Sequence, residues 1–172
     1  ANLSAAFRGV SLNMGTGTNS AVTLTIGAAA NLTWNNAAST GLWNNNLDVN
    51  WLNGAVNDVY YDNDSVLFDD TPGTAQAISI ASAVTPGAVT FNNASVPYTL
   101  SGGAISGTTS LVKNNTGILT LSSANTFSGG TTLNNGTLRL GDAAAVGSGT
   151  LTLAGGRLTS VGSNALTLAG PM

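Results

Sequence analysis

Five of the seven acidic residues, Asp58, Asp62, Asp64, Asp69 and Asp70, fall in one short stretch of the chain. Clustered carboxylates supply hard oxygen ligands, so Ca²⁺ binding is the first chemistry to weigh, with Asp62, Asp64 and Asp69 as candidate ligands. The spacing speaks against it. Val66 stands where the third ligand of a calcium loop would fall, no loop glycine follows, and the glycine-rich calcium nonapeptide is missing. Turn acids that accept backbone N–H bonds are the competing reading, and no bound metal or other cofactor is expected. Paired aspartates could also cleave a glycan, which takes two carboxyl groups held several Å apart. Asp69 and Asp70 are adjacent, so in a strand their side chains point to opposite faces. With no His, no Glu and one Lys in the chain, no catalytic residues are expected and the protein reads as a non-enzyme.

The aromatic residues are gathered as well: Trp34, Trp43, Trp51, Tyr60, Tyr61 and Phe68 lie together in the first half of the chain. Exposed rings there would stack on sugars and make a glycan-binding face centred on Trp34, Trp43 and Trp51. Buried rings would instead be the small core of a cap over an open end of the fold.

Composition narrows the partners. Only 6% of the 172 residues are charged, against roughly 25% in an average globular protein. A surface kept wet by Asn, Thr, Ser and Gly tolerates self-association. The net charge of −3 argues against nucleic acid and anionic membrane, both of which call for a basic patch. Arg8, Lys113, Arg139 and Arg157 are scattered along the chain. Without cysteine there is neither a disulfide framework nor a thiolate metal site. No apolar run is long enough for a membrane span, so no membrane insertion is expected. The first residue, Ala1, fits removal of an upstream segment, and the location expected is extracellular.

Helical periodicity is nearly absent. Short alternating runs recur instead, among them VTLTI at 22, AISI at 77, AVTF at 88, ILTL at 118, TLRL at 137 and TLTL at 150. Each puts Leu, Ile, Val or Phe on one face and Thr or Ser on the other, bounded by Gly, Asn or Ser, which predicts an all-β chain. Gly117, Gly136 and Gly156 recur at nearly equal steps, as do Leu119, Leu138 and Leu158, and Leu133 and Leu153 keep the same step. A return in phase predicts a β-solenoid with coils of about 20 residues, inward Leu and Ile ladders, and Asn or Gly at the corners. Asn135-Gly136 is also a type I′ hairpin signal, so a single hairpin over residues 129–140 is the alternative.

The block from residue 101 onward resembles the autotransporter-associated β-strand repeat, or passenger-associated transport repeat. The resemblance rests on Gly117, Leu119, Leu121, Ser122, Asn125, Thr126, Phe127, Gly129, Gly130, Thr131, Leu133, Gly136, Thr137, Leu138, Leu140 and Gly141. Ser123 departs from the glycine usual there. Upstream, LTWNNAASTGLWNNNLDVNWLNG and VTPGAVTFNNASVPYTLSG look like the segment that often precedes this repeat, so the likeness covers roughly residues 32–160. It implies a right-handed parallel β-helix on the outside of a bacterium.

Three segments are expected: an N-terminal strand segment over 1–30 that serves as an assembly arm, an aromatic and Asp-rich cap or insertion over 31–70, and solenoid coils over 71–172. The strand-like NALTLAGPM near the C-terminus and the apolar N-terminal segment suggest unlike ends that pair head to tail into a homopolymer. The function expected is a structural protein of the bacterial surface, either a fibre subunit or a rod segment. The alternative is an adhesive module that binds polysaccharide through the Trp and Tyr segment.

Overall fold

The structure, a computed structural model, describes residues 8–14, 22–162 and 167–168. Every regular element in it is a strand. β1 (Val10–Met14) and β2 (Val22–Ile26) form a separate antiparallel pair. The remaining strands build two sheets that share one core. The first sheet runs, rung by rung, through β4 (Leu42–Trp43), β8 (Gln76–Ile80), β10 (Tyr98–Gly102), β12 (Ile118–Leu121), β14 (Thr137–Leu140) and β16 (Arg157–Ser160). The second starts from an antiparallel hairpin, β6 (Val56–Asp58) with β5 (Trp51–Asn53). It continues through β3 (Asn31–Trp34), β7 (Ser65–Phe68), β9 (Ala88–Phe91), β11 (Leu111–Lys113), β13 (Thr131–Leu133) and β15 (Leu151–Leu153).

From β7 and β8 onward every pairing within these two sheets is parallel and joins strands one coil apart, which is a β-solenoid. Val66, Val89, Leu111, Thr131 and Leu151 occupy one register position. Gln76, Tyr98, Leu119, Leu138 and Leu158 occupy another. In both series the first steps are a little longer than the last. A third side closes each coil through backbone bonds such as Ser106 N to Val84 O, Thr126 N to Ile105 O and Ser148 N to Phe127 O. Asn125 clips that side together, since its Oδ1 accepts the Ile105 N–H at 2.8 Å and its Nδ2 donates to Ala145 O at 2.6 Å.

The hairpin alternative for residues 129–140 is decided by sheet membership. β13 and β14 lie in different sheets, so Asn135-Gly136 is a corner between sheets and not a hairpin turn. Gly136 has φ 75°, and a Cβ there would meet Gly117 O at 2.4 Å and Asn115 O at 2.5 Å. Thr137 N in turn donates to Gly117 O, and Arg157 N donates to Gly136 O, so Gly117, Gly136 and Gly156 are the places where successive coils touch backbone to backbone. A side chain at Gly136 would be both strained and blocked. Leu119, Leu138 and Leu158 pair directly in register and form an inward ladder.

The core changes character along the stack. Trp34, Trp43, Trp51, Tyr60, Phe68, Phe91 and Tyr98 fill the N-terminal end; Leu111, Leu119, Leu121, Leu133, Leu138 and Leu140 fill the later coils. Phe68 and Phe91 are register partners and stack face to face, with centroids 4.4 Å apart and planes 8° apart. Of the segment read as an assembly arm, residues 1–7 and 15–21 lie outside the described residues, as does most of NALTLAGPM.

Candidate functional site

The acidic cluster sits at the aromatic end of the stack. Buried Asp64 accepts hydrogen bonds from Arg8 Nη2 at 2.7 Å, Ala30 N at 2.7 Å and Tyr61 N at 2.9 Å. Arg8 also pairs with Asp58, donates to Val59 O at 2.8 Å and lies over the Tyr61 ring, 5.1 Å from its centroid. One cation thus ties the segment leading into β1 to two carboxylates, one at the end of β6 and one just before β7. Burial pushes Asp58 up, but the Asn53 amide, the Val59 N–H and the Arg8 guanidinium outweigh it and hold the carboxyl below its usual range.

The other acids are staples between neighbouring turns. Asp62 accepts from Tyr60 Oη, Asn45 Nδ2 and the Thr85 N–H. Burial first, and the Asp62 charge second, push the Tyr60 phenol far up, so it stays protonated as the donor. Asp69 accepts the Thr71 N–H at 2.8 Å. Asp70 takes the N–H groups of Ala94, Ser95 and Val96, which hold its carboxyl below the usual range. Among the described residues, no three His, Cys, Asp or Glu side chains converge on a common point where a metal ion would sit. Asp62, Asp64 and Asp69 are spent on separate protein partners, and Asp69 and Asp70 face different ones. Of these bonds the Asp69–Thr71 contact is a local Asx-type turn, whereas Asp62, Asp64 and Asp70 reach partners far away in sequence.

The proposed glycan face needs correcting. Trp34, Trp43 and Trp51 are each 0% exposed. Trp51 meets Trp34 edge to face at 4.9 Å and Trp43 at 5.4 Å, and Trp34 Nε1 donates to Gln76 Oε1 at 3.1 Å. Their large apolar area is worth more inside, where the hairpin β5–β6 folds over it, than on a wet surface. No ring of the three is left to stack on a sugar.

Sequence reasoning passed over Lys113. Its register partners are Phe91 below and Leu133 above, so it occupies one rung of an inward ladder and is fully buried. Its stem packs in the core, and its Nζ donates to Asn114 O and Asn115 O at the corner. Burial brings its pKa down to about 8, with only a distant pull upward from Asp70. The unfolded chain binds a proton there up to about pH 10.4, so between about pH 8 and 10.4 the unfolded state holds more protons. Stability should therefore rise with pH from about 8 to 9 in urea titrations; nearer pH 10 the Tyr60 and Tyr98 phenols, pushed up in the fold and ionising first in the unfolded chain, oppose it. Lys113→Met, which keeps the stem and removes the charge, should abolish the rise at little cost in stability near pH 7, whereas Lys113→Ala should cost about 2–4 kcal/mol.

Comparison with known proteins fits this architecture. Residues 111–140, from β11 to the end of β14, match the family model described as the passenger-associated-transport-repeat. A stretch of 68 residues, 40% of the chain, is 40% identical to the adhesin BmaC autotransporter of Brucella suis biovar 1 (strain 1330). That stretch spans only 2% of the relative's length. No solved structure matches the chain. The matches and the fold together indicate an extracellular or bacterial-surface β-solenoid.

Proposed function

We propose that this chain, a β-solenoid carrying a passenger-associated transport repeat at a bacterial surface, works as a stackable rod segment whose C-terminal rungs receive the next coil. The observation that supports this is the difference between the two ends. At the N-terminal end the hairpin β5–β6 turns antiparallel and covers the aromatic core. At the other end β15 and β16 are the last strands of their sheets among the described residues. Leu153, in register with buried Leu133, is 53% exposed there, and Val161, just after β16, is 53% exposed.

An inward ladder position that ends this exposed, on the last rung of its sheet among the described residues, is suited to another rung of the same kind. That rung comes from continuing coils or, for the isolated chain, from a second copy. Head-to-tail contact of unlike ends propagates as a filament.

The test is electron microscopy with sedimentation of the purified chain in dilute, low-salt buffer, beside Leu153→Lys/Val161→Lys. The reading expects rods and a mass that grows with concentration, both suppressed by the two lysines. Discrete monomers at every concentration would overturn end-to-end stacking.

A further inference from the structure

We infer that the outer face of the six-stranded sheet, at its C-terminal rungs, binds an acidic polysaccharide through Arg139 and Arg157. The chain has four cations. Arg8 is spent on Asp58 and Asp64, and Lys113 is buried on corner carbonyls. Arg139 and Arg157 are exposed, and neither has an ion pair or a side-chain hydrogen bond among the described residues.

The coil period brings these two together. Register pairs Thr120 with Arg139 and Arg139 with Thr159, while Thr137 pairs with Arg157. The two arginines therefore lie on adjacent rungs and on the same outward face, two positions out of step. At a rung spacing of about 4.8 Å and a rise of about 3.3 Å per residue, their Cα atoms are about 8 Å apart. Both line one open groove of about 400 Å³ with Thr120, Thr137 and Thr159.

No carboxylate lines this groove. Six of the seven acids precede residue 71, and the seventh, Asp142, accepts the Ala144 N–H through Oδ1. Two like charges set side by side without a counter-charge cost the sheet stability. An external anion relieves that cost, and guanidinium forks match carboxylate and sulfate oxygens in bidentate fashion. Thr120 and Thr137 add hydroxyls suited to sugar hydroxyls, and the one apolar side chain in the lining, Val161, offers little to a peptide. A glycan bearing carboxylate or sulfate groups along its length fits better than a neutral sugar or an acidic peptide.

The experiment is calorimetric titration of the purified chain with alginate oligosaccharides and with sulfated dextran oligosaccharides, with neutral dextran and poly-glutamate as controls. Binding by either acidic glycan, weakened by added salt and at least tenfold weaker in Arg139→Gln/Arg157→Gln, is the expected result. Which of the two binds identifies the anionic group. The double variant should melt no lower than the parent, because both side chains are exposed and carry like charge. Arg139→Lys/Arg157→Lys, which keeps the charge and loses the fork, should bind with intermediate affinity. Absence of binding at millimolar glycan would overturn the inference. So would equal binding by neutral dextran or poly-glutamate, or undiminished binding by the double Gln variant. Sedimentation of that variant separates this site from the rod stack: loss of self-association would assign the groove to a second copy instead. Failure of stacking in the parent chain leaves the glycan titration intact.

Discussion

Asp64→Ala should destabilise the protein by about 3–5 kcal/mol, measured by urea unfolding near pH 7. The carboxylate is wholly buried and has four donors: two guanidinium nitrogens of Arg8 and the backbone N–H groups of Ala30 and Tyr61. Removing it orphans two backbone donors at a cost of about 1–3 kcal/mol each and strips Arg8 of its buried partner. Asp64→Asn should fare little better, because one of its two positions becomes an NH₂ group facing donors. Arg8→Ala should also be costly, since it leaves the Asp64 charge buried without its cation. In the Asp64 variants, amide exchange in β1 and β2 should accelerate more than in β12 or β14, because Arg8, just before β1, and Ala30, between β2 and β3, both bond Asp64. A loss below about 1 kcal/mol, the scale of an exposed ion pair, would mean that the Arg8 contacts do not form in solution.

Trp51→Ala is the second large effect, at about 3–5 kcal/mol. The ring is 0% exposed and meets Trp34, Trp43, Tyr60 and Phe68 at centroid distances of 4.9, 5.4, 6.0 and 5.5 Å. Coils of a solenoid are coupled mainly to their neighbours, so the damage should be uneven. Exchange protection should fall first in β3, β5 and β7 and persist longest in β10 to β14. The same variant separates two roles for the ring. A core residue lowers stability when removed; a surface ring that stacks on sugar would leave stability unchanged and lower glycan affinity.

The later coils were legible from sequence because their lengths are nearly constant. Leu119, Leu138 and Leu158 return at almost equal steps, and they are register partners. The earlier coils were not, because the corresponding steps from Val66 to Val89 and from Val89 to Leu111 are longer than those that follow. Extra corner residues break the phase without changing the pairing. From Leu32 to Val66 the step is longer still, since β4 and the hairpin β5–β6 intervene.

Candidate chemistry was harder to read. The acids were visible as a cluster in the chain, but each one's partner lies elsewhere: Arg8 pairs with Asp64 across most of the cap segment, and the Thr85 N–H reaches back to Asp62 from the next coil. A lone arginine in an apolar segment carries no signal of such a contact. Lys113 was within reach, because it shares the alternation parity of Leu111 and stands as far before Leu133 as Leu133 stands before Leu153. Arg139 and Arg157 look scattered in the sequence. Their separation is close to one coil, and coiling turns that spacing into adjacency.

Parallel coils that return in register are tested directly by cysteine cross-linking in a chain with no native cysteine. Thr132→Cys/Thr152→Cys places thiols on register partners of adjacent rungs. Thr132→Cys/Arg139→Cys places them on different sheets, although they are closer in sequence. A short bifunctional thiol reagent should bridge the first pair rapidly within single molecules and leave the second unbridged. Fast bridging of 132 to 139 with none of 132 to 152 would restore the hairpin and contradict the solenoid.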